Sequence, residues 1–243
     1  MGGRAKTVGA GFALALSSMA GGCSDLSAGF PDTSVPGGKQ SDNEDDLPWT
    51  IGEALGRIPG EVSDEVITLA DGNRYVVDAL YTRKDGRPSG YVLAGRLDGD
   101  GNIVEIAEWR STTLPYVPGT TSGVFEYSGP SVALLGRDGA SYNRVAGTAE
   151  MTVDFDSQEA RLEAGMSSAD VAAELAGVLA FDRESGRLSA DGLSLEYSDQ
   201  AGNIVGTADL EGAVSGDNAG FAAFFEAADG VRGTGVMSGE RDH

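Results

Sequence analysis

The chain has a single cysteine, Cys23, and a single histidine, His243, which is its last residue. One cysteine excludes an intramolecular disulfide and any cysteine-based metal cluster. Catalytic triads of the Ser-His-Asp or Cys-His type need an imidazole held inside the fold, and a terminal residue is a poor place for one. Positive charge is scarce as well: 17 Lys and Arg stand against 38 Asp and Glu, for a net charge of −21. Such a chain repels phosphate backbones, which argues against a nucleic-acid partner. No G-x-G-x-x-G-type turn precedes a helical pattern, so nucleotide binding has no support. Long apolar runs are missing too, since the longest candidate, Val8 to Leu16, falls short of the roughly 20 residues that span a bilayer.

Glycine, by contrast, is abundant at 37 residues, roughly twice average usage, and is spread among segments of alternating polarity. In VAGTAEMTVDFD, Val145, Gly147, Ala149, Met151, Val153 and Phe155 fall on one face of a strand and Thr148, Glu150, Thr152 and Asp154 on the other. The alternation returns at Leu193, Leu195 and Tyr197, and again at Ile204, Gly206, Ala208, Leu210, Gly212 and Val214. After residue 118 the pattern predicts eight strands, Gly123 to Leu135 with a kink at Gly129-Pro130, Arg144 to Asp156, Glu159 to Gly165, Glu174 to Arg183, Arg187 to Tyr197, Asn203 to Val214, Ala219 to Ala227 and Val231 to Glu240. Eight such strands close into a small antiparallel barrel whose interior is filled by side chains or holds one small ligand. ADVAAELA, with Ser168 as a cap, has helical propensity and is a candidate for a short helix leading into the fourth of these strands.

Before the barrel, Asp71-Gly72, Asp85-Gly86 and Asp100-Gly101 each separate two apolar runs, the signature of tight hairpins. They predict a four-stranded meander over Glu65 to Ala70, Asn73 to Arg83, Gly90 to Leu97 and Asn102 to Arg110, preceded by a helical turn in IGEALGRIP. Tyr75, Tyr81, Tyr91 and Trp109 lie on these strands, either as cross-strand packing or as a ligand-facing platform. Leu114-Pro115-Tyr116-Val117-Pro118-Gly119 breaks the pattern and marks a boundary. The expected class is all-β, with a strand-rich handle over 47–117 and a barrel over 118–243.

The first 22 residues have a basic start (Arg4, Lys6), an apolar run and small residues ahead of Cys23, the layout of a bacterial secretory signal. Its removal takes two positive charges from the net −21, leaving −23. Ala20-Gly21-Gly22-Cys23 resembles a lipobox, with Ala20 where Leu is usual, and makes Cys23 the expected lipidated first residue. Two alternatives are that Ser18-Met19-Ala20 serves an ordinary signal peptidase, giving a soluble secreted protein, or that Cys23 is incidental. Residues 23–46 are rich in Ser, Asp, Pro and Gly and read as a disordered tether, since they cannot bury enough surface to offset chain entropy. Its acidic end, Asp42 to Asp46, lacks the spacing of a calcium loop.

GTAEMTVDFD, AGVLAFDRESGRLSADGLSLEY, GNIVGTADLEGAVSG and the closing GTGVMSGER, in that order, resemble the barrel of the transferrin-binding protein B-like surface lipoproteins of Gram-negative bacteria. The order of signal, lipid cysteine, tether, four strands and eight strands is similar to a single lobe of that family. The chain departs from it at Gly220-Phe221-Ala222-Ala223-Phe224-Phe225, where a Gly-x-Phe-Tyr-Gly-like turn is usual, and one lobe is too short for a transferrin receptor. The resemblance implies non-catalytic capture of a host or environmental protein or nutrient by a monomer held at the outer membrane through its lipid and exposed on the cell surface. An iron- or haem-related ligand is one case. A structural or adhesive envelope lipoprotein without a small-molecule ligand is the alternative, as are a periplasmic or a secreted location.

The residues name no haem, metal or catalytic site. Haem ligation would fall to Tyr75, Tyr81, Tyr91, Tyr116, Met151, Met166 or Met237, none in a discriminating spacing. Asp154, Asp156 and Asp182 lie at strand ends, where acids usually flank turns rather than form a hydrolytic pair. No cofactor and no ligand-binding residues are predicted beyond the lipidation site Cys23.

Overall fold

The computed structural model describes residues 60–69, 71–84, 87–111, 122–214 and 220–242. Cys23, the tether, the IGEALGRIP stretch, Tyr116 and the boundary segment lie outside them. Four strands, β1 (Gly60–Thr68), β2 (Arg74–Lys84), β3 (Arg87–Leu97) and β4 (Ile103–Ser111), form an antiparallel sheet in sequence order. Eight more follow: β5 (Val124–Arg137), β6 (Asn143–Asp154), β7 (Glu159–Ser167), β8 (Ala172–Asp182), β9 (Arg187–Asp199), β10 (Gly202–Val214), β11 (Gly220–Ala228) and β12 (Val231–Arg241). They close into an antiparallel barrel in which consecutive strands are neighbours and β12 returns to pair with β5. The expected all-β class, a four-stranded handle followed by an eight-stranded barrel, is the observed one.

The period of two decides which side chains enter the barrel. On β7, Ala160, Leu162, Ala164 and Met166 are buried while Arg161, Glu163 and Gly165 are exposed. The face read from VAGTAEMTVDFD is likewise buried at Val145, Ala149, Met151, Val153 and Phe155. Gly147 is exposed, where a Cβ would stand against the Gly165 carbonyl of β7.

ADVAAELA is not a helix. It opens with a turn closed by Ser168 N–H to the Val171 carbonyl at 2.8 Å and continues as β8, with Ala173 and Leu175 buried and Ala172, Glu174 and Ala176 exposed. Helix propensity separates these residues from average ones by only a few tenths of a kcal/mol each, whereas burying one Leu contributes about 1.5–3 kcal/mol. The strand also pairs its backbone with both β7 and β9.

Large rings fill the lumen by lying over residues without side chains. Phe221 and Phe225 of β11 stand directly opposite Gly239 and Gly235 of β12, and a Cβ on either glycine would collide with the facing ring. A glycine in a strand otherwise leaves a packing defect, which a facing aromatic covers. Tyr127 and Phe221 meet edge to face with centroids 6.1 Å apart.

The handle does not stand apart. Its inner face contributes Val76, Leu93 and Ile103 to a cluster completed by Leu134, which points out of the barrel from β5. Gly95 makes room for this joint, since a Cβ there would lie 3.1 Å from Leu134 Cδ1 and 2.6 Å from Ile103 Cγ2. The opposite face buries Ile67, Tyr75, Val77, Val92 and Ala94.

Gly235→Ala is expected to destabilise the fold by about 1–3 kcal/mol through overpacking, because its Cβ would also stand 2.7 Å from Ala133 Cβ. Gly165→Ala, which meets nothing within 4 Å, should stay within about 0.5 kcal/mol of the parent. Urea unfolding of the two variants measures both, and equal effects would show that the ring-over-glycine contacts are not tight.

Candidate functional site

The strongest candidate is the end of the barrel where the 138–142, 168–171, 200–201 and 229–230 connections gather. Arg137 at the end of β5 and Asp199 at the end of β9 sit four places apart in the eight-stranded ring, on opposite walls. Their parity points both inward, as with Leu135 and Tyr197 two residues before them. The guanidinium reaches across the mouth and holds the carboxylate through Nε to Oδ2 at 2.8 Å and Nη2 to Oδ1 at 2.9 Å. It also donates to the Gly202 carbonyl. A planar fork meeting a carboxylate at two points fixes orientation as well as distance.

Beneath this strut lies Tyr197, whose hydroxyl accepts from Asn143 Nδ2 at 3.0 Å and whose ring stands 6.0 Å from the Arg137 guanidinium carbon. Burial pushes the Tyr197 phenol above its ordinary value. Arg137 and the Ala201 N–H hold Asp199 below the usual carboxylate range, the guanidinium being the larger cause. Outside the mouth, Arg232 ties the β5–β6 hairpin down, donating to the carbonyls of Arg137 and Ala140 and lying 4.3 Å from the Tyr142 ring centroid.

The other end is closed by apolar contact. Phe155 makes edge-to-face pairs with Phe125 at 5.2 Å and Phe181 at 4.7 Å, and the Arg241 guanidinium stands 4.1 Å from the Phe125 ring. Between the two ends Tyr127, Phe155, Leu162, Leu175, Leu179, Leu188, Tyr197 and Phe225 are less than 2% exposed. The interior is thus packed as a core.

Among the described residues, those weighed as haem ligands fall in two separate apolar clusters. Met151, Met166 and Met237 pack within the barrel core, and Tyr75 belongs to the outer cluster of the handle. The side chains of Tyr81, Tyr91 and Trp109 lie outside the described residues. Asp154, Asp156 and Asp182 organise turns. Asp154 accepts from the Asp156 and Ser157 N–H groups at 2.9 and 3.2 Å, Asp156 from Gly123 N–H at 3.0 Å, and Asp182 from Glu184 N–H at 2.9 Å. Hydroxyl donors, Ser157 for Asp154 and Ser185 for Asp182, are the leading cause that keeps these two carboxyls below their ordinary range. Among the described residues no group of three or more His, Cys, Asp or Glu could hold a metal ion.

The outer wall carries a different feature. Glu150 stands directly opposite Glu163, and Glu174 directly opposite Glu196. Like charges in that position oppose strand pairing, so this part of the wall is acidic at a cost in stability. Among the described residues the exposed large apolar side chains are Val66, Val104, Val124, Val178 and Val205, each on a different strand. No family model matches the chain, and neither does any curated protein.

The mouth pair gives a signed pH dependence. A carboxyl whose folded pKa is depressed contributes stability that is in place above its unfolded value, about 4, and is lost as pH falls through the folded value. The melting-temperature difference between the parent and Asp199→Asn should therefore be full at pH 7, shrink below about pH 4 and vanish when Asp199 is protonated in both states. Thermal melts from pH 7 to 3 measure it, and a difference independent of pH would show that the strut is not an ion pair in solution.

Proposed function

We propose that this chain is a lipid-anchored, non-catalytic binding protein of the bacterial envelope that takes a protein partner on its outer surface. The filled lumen carries this reading, because an interior packed with Tyr, Phe and Leu side chains and bridged at one mouth by Arg137 leaves recognition to the outside of the barrel. The acidic wall at Glu150, Glu163, Glu174 and Glu196, together with the net charge of −21, favours a partner with a basic surface. The absence of neighbouring exposed valines among the described residues favours a polar contact over an apolar one.

The anchor is Cys23, expected as the lipidated first residue after the signal. Each buried methylene contributes about 0.8 kcal/mol, and more than one chain is needed for firm retention. The 23-residue tether from Ser24 to Asp46 has a root-mean-square span of roughly 25–30 Å if it behaves as a flexible coil, enough to clear lipid headgroups. Ser24 rather than Asp follows the cysteine, an arrangement that fits export to the outer membrane. The resemblance to single-lobe surface lipoproteins points to its outer face.

Cells expressing the full chain should incorporate labelled palmitate into it, and Cys23→Ala should abolish the label. Protease added to intact cells should digest the lobe, while protection until lysis would remove the surface-receptor reading. Immobilised residues 24–243 should then retain basic proteins from host serum or the organism's medium, with retention falling as salt rises. A surface-exposed lobe that retains nothing would leave the structural envelope role in its place.

A further inference from the structure

The β5–β6 hairpin is a joint between the handle sheet and the barrel. Successive residues on a strand point to opposite faces, and on this hairpin one face meets the handle while the other meets the barrel interior. On β5, Leu134 enters the handle cluster and Leu135 the barrel core. On β6, Arg144 turns outward to Asp78 of β2, with Nε to Oδ2 at 2.8 Å and Nη2 to Oδ1 at 2.7 Å, while Asn143 turns inward to the Tyr197 hydroxyl. Asp78 is only 4% exposed. The hairpin backbone is held as well, since Tyr142 N–H donates to the Ile103 carbonyl of β4 at 2.8 Å. Arg137, which spans the mouth, begins the same turn, and its own carbonyl accepts from Arg232.

We infer that this hairpin couples the handle to the mouth of the barrel, so that docking of the handle and closure of the mouth by the Arg137–Asp199 strut stand or fall together. The physical reason is steric. A hairpin whose adjacent residues are locked on both faces cannot shift toward one partner without displacing the other, and packed interfaces switch between discrete arrangements rather than deform smoothly. A partner that pulls the handle away would loosen the mouth some distance from its own contact. A partner seated on the mouth turns would in return bias the handle joint, since coupling free energies are reciprocal.

Amide hydrogen exchange on the full chain tests this with two variants. Asp78→Asn weakens the handle joint, and Leu134→Ala does so by a separate, apolar route, which covers the case in which the first variant fails to fold. Either should accelerate exchange at Ala201, whose N–H donates to Asp199 in the β9–β10 turn, by about fivefold or more. Exchange at Phe155, whose N–H donates to the Gly123 carbonyl at the far end of the barrel, should not change. In the reverse direction Arg137→Met should accelerate exchange at Tyr142. Acceleration at Tyr142 in the handle variants with Ala201 unchanged would overturn the coupling. Uniform acceleration that includes Phe155 would overturn it equally, by showing general destabilisation.

Discussion

The barrel depends on one seam. Consecutive antiparallel strands pair through short turns almost automatically, but the sheet loses its edges only if its first and last strands, β5 and β12, also meet. That pairing brings together residues from opposite ends of the barrel sequence, with Val231 opposite Arg137 and Arg241 opposite Tyr127. Close approach is obtained with glycine. A Cβ at Gly129 would press on the Ser238 carbonyl and one at Gly233, which has φ +127, on the Leu134 carbonyl. Pro130, which has no N–H to give the ladder, sits where the β5–β12 pairing is interrupted. The sequence kink at Gly129-Pro130 is therefore a feature of closure, and β5 runs through it unbroken to Arg137.

Closure also decides what the interior can do. With eight strands the lumen is narrow enough for side chains to fill it, and here rings over glycines occupy the space that a wider barrel would leave for a ligand. Chemistry then moves to the ends and the outer wall. At one end Phe125, Phe155 and Phe181 pack edge to face. At the other a charged pair, partly exposed to water, spans the mouth. The two closures respond differently to solvent, because an ion pair near the surface weakens with acid and salt while packed rings do not.

Most of the fold could be read from the chain because a half-buried strand leaves a local trace in its alternation, and turns such as Asp71-Gly72 and Asp100-Gly101 mark where strands reverse. The face holding Leu193, Leu195 and Tyr197 is buried as the pattern requires. The pattern misled at ADVAAELA, where alanine is compatible with either period and only the pairing of β8 with β7 and β9 selects the strand. The mouth was not legible at all. Arg137 lies in an Arg-Asp-Gly turn and Asp199 in a Ser-Asp-Gln-Ala-Gly turn, each an ordinary exposed turn in sequence, and they are 62 residues apart. Arg144 and Asp78, separated by 66 residues, left no trace for the same reason. Inward parity at both strand ends was the only available signal, and it requires knowing which strands face each other across the ring.

The handle limits where a partner can approach. A four-stranded antiparallel sheet usually has one face packed and one wet, but here Val77 on one face and Leu93 on the other are at most 1% exposed. An aromatic platform built on Tyr75 would need that ring at the surface, and it is buried. The sheet's terminal strands are β1 and β4, and β4 is bridged at Ile103 to Tyr142 of the β5–β6 hairpin. β1 is acidic in sequence, with Glu61, Asp64 and Glu65, whereas on β4 Glu105 pairs with Arg96 of β3 through Nε to Oε2 at 2.7 Å. Repeated carboxylates on a terminal strand disfavour pairing with another copy of the same acidic chain. The same carboxylates do not oppose a basic surface in this way.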